Sequence, residues 1–348
     1  MMQALTIGPQ ATNEEADLEG VIVTEEVRHD GRRLFRKGHR LRADDLAALA
    51  ELERPFHAVR LDVDDVHEDE AAQRLATLAM GPGLIARGPV QSRVNLVADR
   101  KGLLRIDPAA VLAINTLADT ALFTLPDRLS VLPGKIVAGA KITPVAIPER
   151  TLSQAEAYAR ARRRPIVEVK PFAPLTVGVV TTEGLEGRTR TRFEDTVRRK
   201  IGWFGGSVLR FEDLPNDADA VARAVDGLIT DGAQLVLAGG GNTIDPLDAT
   251  LQALSMVGAS VVRFGAPVHP GSMFWLAYTD RTEIPIFNLS SCSMYSQATV
   301  ADLILPWIMA GERVTRADLA GIGFGGLLDR DMSWRFPPYD AEAVTEED

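Results

Sequence analysis

Cysteine is almost absent from this chain. Cys292 is the only one among its 348 residues, which excludes an internal disulfide and a metal cluster held by several thiolates. The first ten residues lack a basic segment followed by an apolar run, so they do not predict a secretory signal. Together these absences favour a cytoplasmic protein.

Long uncharged segments and an excess of basic charge are also missing. The longest stretch without Asp, Glu, Lys or Arg, residues 284–301, contains a proline, an asparagine and four serines, and it cannot span a membrane. The 38 Lys and Arg residues are outnumbered by 48 Asp and Glu residues, and a net charge of −10 has the wrong sign for a broad nucleic-acid-binding surface. We therefore expect neither a membrane nor a nucleic acid as a partner.

The composition that remains is typical of a packed globular protein. Apolar residues make up 46% of the chain and charged residues 25%, and the mean hydropathy is close to zero. At roughly 150 residues per domain, a chain of this length forms two or three domains with sizeable cores.

The residue pattern divides the chain into five segments. A strand, a glycine-marked turn and a basic stretch before a short helix predict a small N-terminal α+β unit over residues 1–66. Short Val, Leu and Ile runs broken by Gly and Pro predict a β-rich region over 67–150, and a polar, Arg-rich stretch predicts a linker helix within 151–173. An α/β domain follows over 174–330, and the acidic end, 331–348, is expected to be a flexible tail.

Strands and helices alternate regularly after residue 174. The predicted strands are LTVGVVTT, SVLRFEDL, AQLVLAG, SVVRFG and IPIFNL, and the predicted helices cover residues 192–204, 217–230, 246–256 and 297–309. Such alternation is typical of right-handed βαβ units, in which helices cover both faces of a parallel sheet. We therefore predict a three-layer α/β/α domain with a mostly parallel sheet. Upstream, the pattern predicts helices over 68–79, 108–119 and 151–164.

A glycine-rich loop is the first candidate site. In an open parallel sheet the ligand binds beyond the carboxyl ends of the strands, and the loop after AQLVLAG holds Gly239, Gly240, Gly241, Asn242 and Thr243. Glycines let backbone amides approach an anion, the two polar side chains can donate hydrogen bonds, and the following helix adds its dipole. The alternative interpretation is an ordinary Gly-rich turn, with Asp245 serving only as a helix N-cap.

Three carboxylates lie near this loop in the predicted fold. Asp245 and Asp248 follow the glycines, and Asp217 belongs to the preceding loop of the sheet. They can coordinate a divalent cation or accept the paired N–H donors of a guanine-like ring edge. The alternative is that each one caps a helix.

Other loops at the same edge supply hydrogen-bond donors. The loop after LTVGVVTT carries the hydroxyls of Thr181 and Thr182, followed by Glu183 and by arginines that can hold an oxyanion or simply form a solvated helix start. The arginines are Arg188, Arg190 and Arg192. Two further turns offer donors without an evident base, and their residues are Pro270, Gly271, Ser272, Ser290 and Ser291.

The segment from Pro174 to about Leu328 resembles the molybdopterin-binding domain shared by molybdenum-cofactor biosynthesis proteins, the molybdopterin adenylyltransferases and molybdotransferases. The resemblance is carried by TVGVVTTEGLEGR, LPNDADAV, LVLAGGGNTIDPLDAT, HPGSMFWLAY and IPIFNLSSCSMY, in the order of that family. A weaker resemblance to multi-domain molybdotransferase-like proteins extends upstream through GVIVTEEV, RKGHRLRADDLAAL and VLPGKIVAGAKITPVAIPE.

This resemblance implies a role in molybdenum-cofactor biosynthesis. Molybdopterin, a phosphorylated pterin, would bind with its anionic end at Gly239–Thr243 and contact the Thr, Pro, Gly and Ser residues named above. Asp245 and Asp248 would be the catalytic acids, and Asp217 and Asp248 the Mg²⁺ ligands, in a metal-assisted phosphoryl or molybdate transfer. The chain is thus a candidate molybdotransferase-like transferase, the alternative being a non-catalytic carrier or sensor of the cofactor. The family also implies a homo-oligomer, a dimer or a trimer.

Three positions depart from the family pattern. The family has Thr-Gly-x-Glu after the first strand where this chain has Thr181-Thr182-Glu183-Gly184, and Leu-Pro-Gly where this chain has Leu289-Ser290-Ser291. His269 stands in place of the lysine of the family's Lys-Pro-Gly turn. These changes indicate either a pocket adapted to another ligand or a site that binds without turnover.

Overall fold

The protein is described here from a computed structural model that covers residues 2–8, 18–49, 52–90, 92–240, 245, 247–289 and 299–341. Among these residues no helix has the length and apolar character needed to cross a membrane. The chain divides into two compact units. Unit 1 comprises Met1–Ala98, Ile106–Asp127 and Ile136–Glu168, and unit 2 comprises Asp99–Arg105, Arg128–Lys135 and Val169–Asp348.

The first part of unit 1 is built from two small antiparallel sheets. Its elements are β1 (Gln3–Ile7), β2 (Ile22–Val23), β3 (Val27–His29), β4 (Arg32–Phe35), a 3₁₀ turn (Ala43–Asp45), α1 (Leu46–Leu49) and β5 (Phe56–Arg60). The strands are ordered β1–β5–β2 in one sheet, and β3 and β4 form the other. Apolar side chains from both sheets, including Val23, Phe35 and Phe56, form one core.

The second part of unit 1 packs helices against a four-stranded sheet. Its elements are β6 (Asp65–His67), α2 (Glu68–Ala79), β7 (Leu84–Val90), β8 (Arg93–Ala98), α3 (Pro108–Asn115), β10 (Thr120–Thr124), β12 (Ile136–Ile142), β13 (Ala146–Pro148) and α4 (Glu149–Arg160). The sheet order is β10–β12–β8–β7, with antiparallel neighbours. The helix α4, expected as a linker, lies within this unit.

A forked ion pair joins α4 to α2. The guanidinium of Arg74 on α2 donates from Nη1 and Nη2 to the two carboxylate oxygens of Glu149, at 2.6 and 2.7 Å. Its Nε donates to Glu156 at 2.8 Å. The hydrogen bonds from Arg74 lower the pKa of Glu149 from 4.5 to about 2, although partial burial opposes the shift. The Glu149 carboxylate is therefore ionised at neutral pH, where it pairs with Arg74.

We predict that this pair makes unit 1 sensitive to acid. Because the pKa of Glu149 is lower in the folded state than in the unfolded chain, its stabilising contribution is complete above pH 4.5 and is lost as the pH falls toward 2. Urea unfolding should show Glu149→Gln less stable than the wild type at pH 7, with the gap closing below pH 4.5. Glu70→Gln is the control, since its carboxylate lies 3.9 Å from Arg74 and is largely exposed. A gap that is constant with pH would contradict the assignment.

Unit 2 contains the larger α/β body. A three-stranded sheet has the order β11–β9–β14, formed by β9 (Gly102–Ile106), β11 (Ser130–Val131) and β14 (Val167–Pro171). The main body contains β15 (Thr176–Thr181), α5 (Gly187–Trp203), β16 (Ser207–Asp213), α6 (Ala218–Thr230), β17 (Leu235–Gly239), α7 (Ala249–Met256), β18 (Ala259–Phe264), β19 (Trp275–Thr279), β20 (Pro285–Leu289), α8 (Val300–Met309) and α9 (Arg316–Gly321). A 3₁₀ segment, Arg330–Arg335, follows.

The mixed α/β class is confirmed, and the six-stranded sheet departs from a fully parallel arrangement at one strand. Its order is β16–β15–β17–β20–β19–β18. The pairs β15–β16, β15–β17 and β17–β20 are parallel, whereas β19 is antiparallel to both β20 and β18. The difference arises from β19, a strand that the sequence pattern did not predict. It lies between β18 and β20 and runs opposite to them.

Helices pack against both faces of this sheet. Val177 and Val179 of β15 lie in one core with Val197 of α5 and Ile304 of α8. The alternate residue Val180 faces a second core. That second core is completed by α6 and α7 through Val221, Val225, Ala253 and Leu254. Because successive side chains of a strand point to opposite faces of the sheet, β15 contributes residues to both cores.

A buried ion pair fastens α5 to α8. Lys200 and Asp302 are 8% and 1% exposed, and Lys200 Nζ lies 2.7 Å from Asp302 Oδ1. The hydroxyl of Tyr339 donates to the same oxygen at 2.8 Å, and the amide of Thr299 donates to Asp302 Oδ2 at 2.9 Å. Burial raises the pKa of Tyr339, which keeps its hydroxyl protonated as a donor. Tyr339 belongs to the segment expected as a flexible tail, so part of that segment is packed.

We expect Lys200→Met to lower the free energy of unfolding by about 3–5 kcal/mol, because it leaves the Asp302 carboxylate charged in a buried position. The double variant Lys200→Met/Asp302→Asn carries no buried charge and should be more stable than the single variant. As a control, Arg199→Met breaks a pair with Asp340, whose side chain is 81% exposed, and should cost at most about 1 kcal/mol. Urea unfolding measures all three, and equal effects at positions 199 and 200 would contradict the prediction.

Candidate functional site

Strand register brings the predicted loops to one edge of the sheet in unit 2. Thr181 at the end of β15 pairs with Gly239 at the end of β17. Gly239 in turn pairs with Leu289 at the end of β20, and Thr181 with Asp213 at the end of β16. Because these four strands are parallel and end at the same level, the loops that follow them leave the sheet side by side.

Gly239 and Gly240 form a tight backbone approach to the loop after β15. A Cβ on Gly239 would lie 3.2 Å from the Thr181 side chain and 3.2 Å from the Phe193 ring. Gly240 has φ +137°, a conformation that favours glycine, and a Cβ there would lie 2.6 Å from Thr182 Oγ1. The Thr182 amide donates to the Gly239 carbonyl at 3.1 Å. Glycine is thus required at 240 both for conformation and for space.

Two further side chains border this approach. Thr181 Oγ1 accepts a hydrogen bond from the Glu183 amide at 3.3 Å. The Glu183 Oε1 atom lies 3.6 Å from the place a Gly240 Cβ would occupy. The family pattern did not assign Glu183, because the Thr-Gly-x-Glu spacing is not kept. Its position directly after a buried strand was the one signal that could have singled it out.

Asp245 and Asp248 both stabilise the start of α7. Asp245 Oδ1 accepts from the Leu247 amide at 2.9 Å, and Asp248 Oδ1 accepts from the Thr250 amide at 2.8 Å as the N-cap of the helix. Asp245 is exposed and Asp248 is half-buried. Both residues therefore have the helix-stabilising role that was the alternative interpretation of the sequence, and a ligand role for either one stays a prediction.

Asp217 is the N-cap of α6. Its Oδ1 accepts from the Ala220 amide at 2.8 Å, and the side chain is exposed. Over the described part of the chain, no group of three or more His, Cys, Asp or Glu side chains is arranged to hold a metal ion. Asp217 therefore has the capping role that the sequence analysis gave as its alternative, and its assignment as a metal ligand stays a prediction.

The turn of Pro270, Gly271 and Ser272 lies between β18 and β19, against the start of α8. Gly271 has φ +113°, and a Cβ there would lie 2.9 Å from Val300 Cγ1. Ser272 is exposed, and its carbonyl accepts from the Ala266 amide at 2.9 Å. The remaining predicted contacts fall outside the described residues, and they are Gly241, Asn242, Thr243, Ser290 and Ser291.

Arg188, Arg190 and Arg192, which lie in the first turns of α5, differ in their ion-pair partners. Arg190 Nε donates to Glu194 at 2.9 Å, and its Nη1 lies 3.5 Å from Asp213. The hydrogen bond from Glu194 raises the pKa of Arg190. Arg188 and Arg192 are exposed, and neither pairs with a carboxylate among the described residues. These two remain available to an anion.

Comparisons with known proteins were made with the sequence and with the fold. No family model and no curated protein matches the chain. Among solved structures it is similar to a molybdenum cofactor biosynthesis protein from Corynebacterium diphtheriae, at 16% identity and TM-score 0.30, over 42% of this chain and 98% of that one.

Two further solved structures illustrate the same likeness. One is the molybdopterin biosynthesis MoeA protein from Pyrococcus horikoshii, at 12% identity and TM-score 0.31, over 71% of this chain and 79% of that one. The other is the MoaB enzyme from Thermus thermophilus, at 17% identity and TM-score 0.29, over 40% and 98%. Proteins of the group named by the sequence motifs are thus among the solved structures that this chain is similar to.

We predict that Gly240→Ala destabilises unit 2 by more than backbone strain alone, which costs about 1–3 kcal/mol. The added methyl meets Thr182 Oγ1, so Gly240→Ala/Thr182→Ala should recover the steric part of the loss. Gly232→Ala is a matched control, since Gly232 has φ +101° and nothing within 4 Å of its Cβ position. Urea unfolding compares the three, and a Gly240→Ala loss no larger than that of Gly232→Ala would contradict the close approach.

Proposed function

We propose that the protein binds molybdopterin, or the cofactor made from it, at the carboxyl edge of the unit 2 sheet and acts in molybdenum-cofactor biosynthesis. The observation that carries the proposal is the close approach of Gly239 and Gly240 to the side chains of Thr181 and Thr182 at the carboxyl edge of the sheet. Glycine backbone beside threonine hydroxyls, in a loop that leads from a strand to a helix, suits a phosphate group. The sequence motifs that carry the family resemblance lie on these same loops.

The donors at this edge fit the anionic end of such a ligand and a Mg²⁺ ion. Mg²⁺ is commonly held by one or two protein carboxylates together with substrate phosphate and water. Asp245 and Asp248, each of which accepts a backbone amide at the start of α7, are the carboxylates that follow the glycine loop in sequence. In the proposal they hold the ion, with Asp217 as a supporting carboxylate, and the ion supplies charge neutralisation for phosphoryl or molybdate transfer.

The remaining predicted contacts complete the proposed binding surface. Gly241, Asn242 and Thr243 extend the glycine loop, and the turns at Pro270–Ser272 and Ser290–Ser291 would contact the pterin. A cytoplasmic location and a homo-oligomer, a dimer or a trimer, are parts of the same proposal.

Anaerobic calorimetric titration with molybdopterin tests this function. Asp248→Asn retains a good N-cap for α7 but removes the negative charge. We expect it to weaken binding at least tenfold in the presence of Mg²⁺ and to change little when Mg²⁺ is left out. The control Asp226→Asn removes an exposed charge from α6, on the same unit, and should bind like the wild type.

The outcomes separate the alternatives. Tight binding together with Mg²⁺-dependent nucleotide hydrolysis or molybdate insertion supports a transferase. Tight binding without turnover is the result expected of a carrier or sensor. If molybdopterin binds neither the wild type nor the control, the proposed function is wrong.

A further inference from the structure

Unit 1 contains a strongly basic segment, although the protein as a whole is acidic. Residues 28–42 hold six arginines and one lysine against one aspartate, a net charge of +6 in a chain whose total is −10. This basic segment forms β3, β4 and the turn that follows them. All seven basic side chains are exposed, and they are Arg28, Arg32, Arg33, Arg36, Lys37, Arg40 and Arg42.

The folded unit neutralises only part of this charge. Glu26 lies between Arg28 and Arg33, at 2.6 and 3.7 Å from their guanidinium nitrogens. The Asp45 carboxylate accepts a hydrogen bond from the Arg42 amide at 2.9 Å. The basic residues that form no ion pair within the described ranges of the chain include Arg32, Arg36 and Lys37. These three exposed cations are the surplus of the basic segment.

An acidic segment of equal and opposite charge lies in the same unit. Residues 62–70 hold six carboxylates and neither lysine nor arginine, a net charge of −6. This acidic segment forms β6 and the first turn of α2. Glu70 lies 3.9 Å from Arg74, a residue engaged mainly with α4. Among the residues that the structure describes, the carboxylates that take part in no ion pair include Asp64, Glu68 and Asp69.

The two segments adjoin in space. The His39 amide donates to the Arg36 carbonyl at 3.1 Å, which closes a turn around Lys37 and Gly38. A Cβ on Gly38 would lie 3.0 Å from Glu68 Oε1. The basic turn and the first turn of α2 therefore touch at this point. The surface of unit 1 carries a basic area and an acidic area next to each other.

Adjacent areas of opposite charge form a surface that is complementary to itself. In a two-fold dimer each area of one subunit meets the other area of its partner, so the basic segment contacts the acidic segment twice. A nucleic acid or an anionic membrane, in contrast, would be attracted by residues 28–42 but repelled by residues 62–70 and by the net charge of −10. A second copy of this chain is the occupant that satisfies both areas.

We propose that residues 28–42 and 62–70 form the contact surface of a two-fold dimer of this chain. Val63, which is 94% exposed within the acidic segment, is covered in this dimer. Charge pairs across an interface act more on the orientation and the rate of association than on affinity. We therefore expect the surface to fix how two copies meet. The inference does not depend on molybdopterin binding.

Sedimentation velocity of the full chain, without any ligand, tests the proposal. We expect Arg36→Glu/Lys37→Glu to raise the dissociation constant of the dimer at least tenfold. The control Arg150→Glu/Arg163→Glu makes the same change in net charge at exposed positions and should dimerise like the wild type. Raising the salt from about 0.1 M to 1 M shortens the Debye length from about 10 Å to about 3 Å and should weaken the wild-type dimer.

Mixing two variants provides the second measurement. Asp64→Lys/Asp69→Lys should be monomeric alone, and it should form a dimer with Arg36→Glu/Lys37→Glu in an equimolar mixture, because every contact then joins opposite charges. Thermal unfolding of each variant establishes that it is folded. A wild-type chain that is monomeric at low salt would overturn the proposal. So would a dimer that Arg36→Glu/Lys37→Glu weakens no more than the control does, or two folded variants that fail to associate.

Discussion

The parallel register of β15, β17 and β20 is the constraint on which the candidate site depends. It sets Thr181, Gly239 and Leu289 at one level, so that loops distant in sequence leave the sheet together. The register is held by two apolar cores, one on each face of the sheet. A one-residue slip of β17 would exchange Leu237 and Ala238 between these cores and displace Gly239 from Thr181. The packing of the two cores and the positions of the site loops are therefore set by the same strand register.

Within that frame, the proposed site would combine stabilising and binding roles in the same residues. Asp245 and Asp248 order the start of α7 with one carboxylate oxygen each. Gly240 lies close to Thr182, and in the proposal the glycine backbone and the threonine hydroxyl at this point contact the anion. The two carboxylates follow Gly240 by five and eight residues along the chain. In the proposal these residues bind an anion and a divalent cation together, which is the chemistry that the proposed function requires.

Regular elements were predictable where local signals agreed with packing. The helix expected over 68–79 is found at Glu68–Ala79, where three acidic residues open the first turn, and the one expected over 217–230 begins one residue after its Asp217 cap. Strand β19 (Trp275–Thr279) was not predicted, and its antiparallel pairing with β18 and β20 is a long-range feature that local pattern does not contain. Helix α5 begins at Gly187, five residues before the predicted start, in a stretch of polar residues without apolar spacing. The packing of Tyr339 on Asp302 is a long-range contact that local pattern does not contain.

A crystal structure grown with molybdopterin and Mg²⁺ is the most direct test of the account. We expect the phosphate of the ligand within hydrogen-bonding distance of the Gly239–Gly240 backbone and of Thr182, with the metal between that phosphate and Asp245 or Asp248. Ligand bound elsewhere on the protein, or a loop at Gly240 closed by its own side chains against the ligand, would contradict it.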